Sequence, residues 1–207
     1  MFMKNLERSI KLTKAKFTTH AIVKIAILGA IAFGIMLIQF PIPIFPAFLK
    51  IDLSDIVALV GGFAIGPVSG VAVQLIKVLL HFIIRTSTGG VGELANFIIG
   101  ASFVFPAAFI YHMKKDKKHA LVGVIVGTIT MTMAGALANI YILIPFYANI
   151  FPIEAIINMG TVINENITDV NSLVLYGITP FNIFKGIIIS LVTMLIYKKI
   201  SPILKSK

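Results

Sequence analysis

Six apolar runs dominate this 207-residue chain. A helix needs about 20 predominantly apolar residues to cross the hydrocarbon core of a bilayer, and most of the runs approach or exceed that length. The pattern therefore predicts an all-α membrane protein with six transmembrane helices. The second run is short and contains Gly61-Gly62, which predicts a tilted or irregular helix. The runs are Ala21–Phe40, Leu53–Gly66, Pro67–Ile84, Leu94–His112, Ala120–Tyr147 and Leu173–Tyr197.

Composition excludes the soluble and disordered classes. Hydrophobic residues make up 58% of the chain and charged residues 13%, whereas soluble domains have about 45–50% apolar and about 25% charged residues. Disorder requires low hydrophobicity and high charge. We therefore treat residues 1–207 as a single integral-membrane domain. The chain has no cysteine, no acidic cluster typical of a metal site, and no P-loop, zinc-protease or nucleophile-elbow motif, so the sequence does not predict an enzyme.

The basic residues indicate the orientation in the membrane. Most of them lie in residues 1–20, in the turn Lys114–Lys118 and in residues 198–207. Six spans place these segments on one side, which the positive-inside rule makes cytoplasmic. The net charge of +10 therefore reflects topology rather than nucleic-acid binding. We expect residues 1–20 to form a basic cytoplasmic tail, both termini to be cytoplasmic, and residues 41–50, 85–93 and 148–172 to form the outer loops.

Two of these outer loops have an unusual composition. Residues 41–50 are apolar and contain three prolines within six positions, which excludes a helix there. An apolar, non-helical segment is expected to fold over the bundle as a lid. Residues 85–93 are rich in glycine, so their backbone can approach a ligand closely.

Five polar side chains interrupt the apolar runs: Lys77, Asn96, Asn139, Asn182 and Lys185. A lysine at the centre of a membrane helix costs about 2.5–3.5 kcal/mol on insertion scales, so such a residue indicates a functional site. Asn182 and Lys185 are three residues apart and share a helix face, which favours a polar ligand. Hydrogen bonds between helices, and lysines that reach towards the membrane surface, remain alternatives.

Two further hypotheses concern the acidic residues at the start of the second run and the small residues of the first helix. Asp52 and Asp55 stand at the start of the second run, where carboxylates commonly cap a helix, although Asp52 is also a candidate ligand. Ala26, Ala30 and Gly34 form a stripe of small residues on the first helix, suited to close helix packing. That stripe serves either internal packing or the docking of a partner membrane protein.

Five short motifs, in this order, resemble those of the substrate-binding S components of energy-coupling factor (ECF) vitamin transporters, most closely the riboflavin-specific members. The similarity covers nearly the whole chain. The motifs are Phe40-Pro-Ile-Pro-Ile, Asp52-Leu-Ser-Asp55, Phe63-Ala-Ile-Gly-Pro67, Ala95-Asn-Phe-Ile-Ile-Gly-Ala-Ser-Phe103 and Pro180-Phe-Asn-Ile-Phe-Lys-Gly186.

The resemblance implies a six-helix bundle in the bacterial plasma membrane with one pocket that opens outward. The first outer loop and the glycine-rich loop would roof this pocket. In the family, the S component binds the vitamin and associates with a transmembrane T subunit and two ATPase subunits. The resemblance assigns the docking of the T subunit to Ala26 and Ala30, with Gly34 extending the surface. The bound substrate would be riboflavin, with no catalytic cofactor.

The candidate residues suit the chemistry of a flavin. An amide supplies a donor and an acceptor and a lysine supplies donors, so Asn139, Asn182 and Lys185 match the pyrimidine edge of isoalloxazine. Phe48 and Leu49 provide apolar walls for the dimethylbenzene ring. Candidate partners for the ribityl hydroxyls are Asn96, Gly92, Asp52 and Lys77.

Alternatives to a riboflavin-binding subunit remain open at this stage. The same fold with a different vitamin would need different pocket chemistry. An ion-coupled small-molecule carrier would need a protonatable carboxylate deep in the bundle, whereas Asp52, Asp55 and Glu93 are expected at the membrane edge. A membrane-embedded transferase or protease would need paired acids or an activated nucleophile within the spans.

Overall fold

The computed structural model describes residues 18–86 and 88–205, and side-chain environments as far as residue 197. Most of the predicted basic tail lies outside these residues. The α-helices are α1 Thr19–Met36, α2 Ser54–Ala64, α3 Pro67–Arg85, α4 Val91–Lys114, α5 Lys117–Ala138, α6 Ile144–Ala148, α7 Ile153–Thr161, α8 Val170–Leu173 and α9 Thr179–Lys205. Two π-helical segments, Asn139–Leu143 and Val174–Ile178, join α5 to α6 and α8 to α9. Two short strands, β1 Phe40–Pro41 and β2 Lys50–Ile51, pair antiparallel.

Five helical segments in the described part of the chain are long and apolar enough to cross a membrane. This agrees with an all-α membrane protein. The predicted second span is shorter, since α2 has 11 residues, about 16 Å at roughly 1.5 Å per residue, against a hydrocarbon core of about 30 Å. The five long segments are Thr19–Met36, Pro67–Arg85, Val91–Lys114, Lys117–Ala148 and Val170–Tyr197.

The short helix α2 lies at the centre of the bundle. It contacts α1, α3, α4 and α9, and nine of its 11 residues are buried. A helix that is apolar on all sides is stable only when neighbours surround it. Its last turn is anchored by side chains from two other helices: the Tyr197 hydroxyl donates to the Phe63 carbonyl at 3.3 Å, and a ring nitrogen of His112 lies 3.0 Å from the Gly62 carbonyl.

Local signals in the sequence set the helix boundaries. The Thr18 hydroxyl caps α1 by accepting from the Ala21 amide, and Pro67 occupies the first turn of α3. The tight turn between α4 and α5 is made by Lys115 in a left-handed conformation (φ 55°) and by Asp116, which caps α5. The backbone amide of His119 donates to Asp116 and holds the pKa of that exposed carboxyl below its ordinary value.

The first outer loop folds back onto the bundle. Pairing of β1 with β2 closes the loop at its base. Between the strands, the buried Phe45 ring packs edge-on against Phe181 of α9, with ring centroids 5.4 Å apart, and also contacts Phe184 at 5.6 Å. The segment is non-helical as its prolines predict, and it covers the first two turns of α9.

The last outer segment is not the simple loop that the sequence predicts. It contains α7, Ile153–Thr161, which follows Pro152. Ile156 of α7 packs with Ile167 and Leu173 in a small hydrophobic cluster. The helix forms because one side of this short apolar segment finds a partner in the start of α8, which charge and length alone do not indicate.

Close packing of α2, α3 and α4 depends on glycines. A Cβ atom on Gly70 of α3 would lie 2.5 Å from Cγ1 of Val104, 2.8 Å from Cα of Gly62 and 2.9 Å from the Ala58 carbonyl oxygen. Two of these neighbours are backbone atoms, so the helices would have to separate. Small residues at such crossings allow membrane helices to approach closely.

We expect Gly70→Ala to destabilise the protein by about 1–3 kcal/mol through overpacking. The measurement is the thermal unfolding temperature of the purified protein in detergent. Gly34→Ala is the matched control, because a Cβ there would meet nothing within 4 Å. Equal unfolding temperatures for the Gly70 variant and the wild type would contradict the close packing of these three helices.

Candidate functional site

Four charged side chains meet in the interior between α2, α3 and α9. Asp55 is in the first turn of α2. Its carboxylate oxygens lie 2.5 Å from the ammonium nitrogen of Lys77 of α3 and 2.9 Å from that of Lys185 of α9. Asp52, just before α2, lies 3.2 Å from the same Lys185 ammonium. The exposed fractions are 5% for Asp52, 1% for Asp55, 0% for Lys77 and 6% for Lys185. We call these four residues the ion cluster.

Neutral polar groups complete the hydrogen bonds of the ion cluster. Nε2 of Gln74 donates to Asp55 at 2.7 Å, and Lys77 donates to the Ser54 hydroxyl at 2.7 Å. The Ser54 hydroxyl and backbone amide both donate to Asp52. Two carboxylates face two ammonium groups, so the cluster is balanced in charge. Burying an unpaired charge costs several kcal/mol, and this balance is what permits four ionisable groups in one interior.

Two asparagines, Asn139 and Asn182, lie close to Gly135 of α5, and we call them the amide pair. Asn139, the first residue of the π-helical segment after α5, donates to the Gly135 carbonyl at 2.8 Å. Asn182 of α9 packs against the same glycine, since a Cβ on Gly135 would lie 2.5 Å from its Nδ2 atom. Asn182 precedes Lys185 by three residues, so these two side chains share one face of α9. π-helical turns often occur at functional sites.

A second polar group joins α3 to α4. His81 Nδ1 lies 2.8 Å from Glu93 Oε1, and the Thr88 hydroxyl donates to the other oxygen of that carboxylate at 2.8 Å. On the same two helices, three buried polar atoms of the described chain have no hydrogen-bond partner: Oε1 of Gln74, Nε2 of His81 and Oδ1 of Asn96. An unsatisfied buried polar group costs about 1–3 kcal/mol. The α3–α4 interface is therefore suited to a polar ligand.

Comparison with known proteins identifies the family. The model of the family described as ECF transporter, substrate-specific component, matches residues 20–197. The chain belongs to this family.

Relatives and a solved structure agree with this assignment. The chain is 39% identical to the riboflavin transporter RibU of Staphylococcus aureus, over 89% of this chain and 92% of the relative. It is 36% identical to the riboflavin transporter FmnP of Bacillus subtilis, over 87% and 92%. A solved S component of a bacterial ECF transporter superposes with a TM-score of 0.70 at 36% identity, covering 90% of this chain and 98% of that chain.

This S component is thus a multi-pass protein of the bacterial plasma membrane, with the long apolar helices such a protein needs. Its family is that of a transport component and not of an enzyme. The similarity to S components seen in the five sequence motifs is therefore confirmed.

The structure of the S component brings together most of the predicted pocket residues. Asp52, Lys77 and Lys185 meet in the ion cluster, and Asn139 and Asn182 flank Gly135 beside it. Leu49 is half-buried and packs with the aromatic groups of the lid and with the α7–α8 cluster. Asn96 lies on α4 with its amide oxygen buried.

Other candidates stand apart from the ion cluster. The Gly92 amide donates to the Thr88 hydroxyl at 3.0 Å, so this amide is engaged within its own turn. Phe48 is 36% exposed on the lid. Ala26, Ala30 and Gly34 are exposed on α1, on the side opposite the buried residues Ile25, Leu28, Ala32 and Met36.

Sequence reasoning missed Asp55 as a partner of the two buried lysines. The helix-capping interpretation is wrong for Asp55, because its carboxylate accepts from Lys77 and Gln74 instead. The sequence did contain a signal for this pairing. Two lysines inside apolar runs need two acids to neutralise them, and Asp52 and Asp55, three residues apart at the start of a buried helix, are suitable partners. Asp52 and Asp55 are both buried within the bundle, and their position at the membrane edge stays a prediction.

A large groove on the outside of the bundle is a different kind of surface. It has a volume of about 490 Å³ and lies between α5 and α9. Its lining is almost entirely apolar, and several of its side chains, such as Ile125, Ile129 and Ile187, are about half exposed. Such an apolar surface suits lipid chains rather than a polar ligand.

Proposed function

We propose that this S component is the riboflavin-binding membrane subunit of an ECF-type vitamin uptake transporter. The observation that carries the proposal is the convergence of Asn139, Asn182 and Lys185 on one region of the interior. The names of the relatives support the same substrate, since proteins 39% and 36% identical to this chain are riboflavin transporters.

The amide pair and Lys185 complement the pyrimidine edge of a flavin. That edge presents an acceptor, a donor and an acceptor in sequence, namely O2, N3–H and O4. Each asparagine offers both a donor and an acceptor, and an ammonium offers three donors. Lys185 directs two contacts to Asp52 and Asp55, which leaves one N–H for a flavin oxygen.

The remaining parts of riboflavin find partners around this edge. Phe48 and Leu49 of the lid supply apolar surface for the dimethylbenzene ring. The ribityl hydroxyls are expected near Asn96, whose buried oxygen needs a donor. Lys77 and Asp52 border the same region through the ion cluster, and Gly92 offers close backbone approach. Hydroxyl groups, each a donor and an acceptor, suit such a mixed set.

We infer six membrane crossings with both termini in the cytoplasm and one domain over residues 1–207. The five long helical segments supply five crossings, and the short buried α2 supplies the sixth. This number places the basic α4–α5 turn around Lys114–Lys118 on the same side as both termini, as the positive-inside rule requires. The lid and the start of α2 then face outward.

We infer that transport requires a T subunit and two ATPase subunits. The chain has no P-loop motif, so ATP-driven transport would take its energy from a partner. Docking is assigned to the stripe of Ala26, Ala30 and Gly34. Its support is exposure: the stripe lies on the face of α1 turned away from the core, and a Cβ on Gly34 would meet nothing within 4 Å.

An ion-coupled carrier is the second candidate that the buried carboxylates raise. Such a carrier needs an acid that gains and loses a proton during transport. Asp52 and Asp55 are buried as that mechanism requires, but each is paired with a lysine. A paired carboxylate resists protonation, so the geometry favours a binding subunit.

The first test is a visible absorption spectrum of the detergent-purified protein from cells grown with riboflavin. We expect a yellow protein with about one flavin per chain, identified after release by denaturation. A colourless protein that also fails to quench the fluorescence of added riboflavin would contradict the proposed substrate. It would direct the search to other vitamins bound by the same fold.

We expect Asn182→Ala to weaken riboflavin binding by about 1–3 kcal/mol, because a buried hydrogen-bonding group of the flavin loses its partner. The measurement is a fluorescence-quenching titration that gives Kd. Asn171→Ala is the matched control, since that asparagine is exposed in α8 and its loss should leave Kd unchanged. Wild-type affinity in the Asn182 variant would place the flavin elsewhere.

We expect Ala30→Phe to abolish assembly with the energising module while riboflavin binding stays intact. A large side chain on the exposed stripe prevents close helix approach. Co-purification of the module measures assembly, and fluorescence quenching measures binding. Ile31→Phe is the control, since Ile31 is also exposed but lies about 100° around the helix from Ala30. Loss of binding with intact assembly would overturn the docking assignment.

A further inference from the structure

We propose that Asp55 is a positioning residue for the flavin: it holds the Lys185 ammonium in place and cancels its charge, so that the site offers the flavin a hydrogen-bonding edge with no net charge. This inference rests on the proposed riboflavin site. Asp55 itself is not expected to touch the vitamin and acts through Lys185.

The carboxylate of Asp55 bridges two helices through its two oxygens. Oδ1 accepts from Lys77 at 2.5 Å and from Gln74 at 2.7 Å, both on α3. Oδ2 lies 2.9 Å from Lys185 on α9. Asp55 therefore connects α3 to α9 through α2, and a change in its charge acts on both lysines. Asp52 contacts only one of the two lysines in the described structure.

Lys185 is held on one side and is available on the other. Its two carboxylate contacts lie on the α2 side, whereas Asn182, three residues earlier, lies against Gly135 of α5. Positions three apart share a helix face, so the Lys185 ammonium is presented next to the amide pair. Without Asp55, this long and flexible side chain would keep only the 3.2 Å contact with Asp52.

The charge balance is local. The charged groups around Lys185 are Asp52 and Asp55 from the α2 side and Lys77 from α3. Further along α3, His81 interacts with Glu93 of α4 rather than with the ion cluster. Two ammonium groups and two carboxylates therefore sum to zero, and removing one carboxylate leaves one uncompensated positive charge facing the flavin.

The acidity of the flavin N3–H group serves as a probe of this local charge. In the wild type, the neutral cluster has little effect on the acidity of N3–H. In Asp55→Asn, the uncompensated Lys185 favours the flavin anion, in which N3 has lost its proton to solvent. An opposite charge within about 4–6 Å stabilises the charged form of an acid. The bound flavin should then deprotonate at a lower pH, and its visible spectrum changes when it does.

The experiment titrates bound riboflavin with alkali in detergent and follows its visible absorption. We expect Asp55→Asn to bind riboflavin at least about tenfold more weakly and to lower the midpoint of deprotonation by at least about one pH unit. Lys77→Gln leaves the cluster with an excess negative charge and should shift the midpoint upward. The double variant Asp55→Asn/Lys77→Gln restores neutrality and should return the midpoint to the wild-type value.

The controls separate charge from structure. Asp116→Asn removes a carboxylate from the exposed α4–α5 turn and should leave the midpoint unchanged. A purely structural role for Asp55 predicts weaker binding without opposite shifts in the two single variants and without rescue in the double variant, and that result would overturn the proposal. If Asp55→Asn fails to fold, the Lys77→Gln variant and the double variant still decide it.

Failure of this proposal is distinguishable from failure of the proposed function. A wild-type protein that binds no riboflavin refutes the proposed substrate. A wild-type protein that binds riboflavin, with identical midpoints in all the variants, refutes the role of Asp55 and leaves the substrate in place.

Discussion

The mutual neutralisation of two lysines and two aspartates is the interaction on which this structure depends. Lys77 and Lys185 belong to different membrane helices, and each would be costly to insert alone. The acids that compensate them stand at the start of α2, a helix too short to cross the bilayer and nearly all buried. Asp55 connects both lysines. Helices α2, α3 and α9 must therefore meet at this level, because any other arrangement would leave an unpaired charge in an apolar interior.

From that point the molecule divides into two halves with different chemistry. On the side of the ion cluster, α9 presents Phe181 to the lid, Asn182 to α5 and Lys185 to the acids within a little more than one turn. The other end of α2 packs in an aromatic cluster. Phe63 stacks on Tyr111 with ring centroids 4.6 Å apart, and the hydroxyls of Tyr111 and Tyr197 lie 2.8 Å apart. The polar half is suited to binding, and the aromatic half holds the central helix in position.

Helix α1 packs against the rest of the bundle through one face only. Gly29 faces the core so closely that a Cβ there would lie 2.5 Å from the Ile76 side chain. Ala30, the next residue, is exposed. The same residue types thus serve two purposes, since small size allows internal packing at Gly29 and leaves a flat outer surface at Ala30. The sequence alone cannot distinguish these purposes, because Gly29 and Ala30 are adjacent small residues of the same helix.

The fold class, the family and most of the polar residues of the interior could be predicted from the sequence. These follow from local quantities: the length of apolar runs, the position of basic residues, and the spacing of Asn182 and Lys185. Which side chains interact with each other, in contrast, follows from how the helices pack. Asp55 resembled a helix cap because it stands at the start of a helix. Spacing along the chain shows which residues share a helix face, but it does not show which neighbouring helix that face contacts. The pairing of Asp55 with both lysines, and the approach of Asn182 to Gly135, depend on how helices distant in sequence pack.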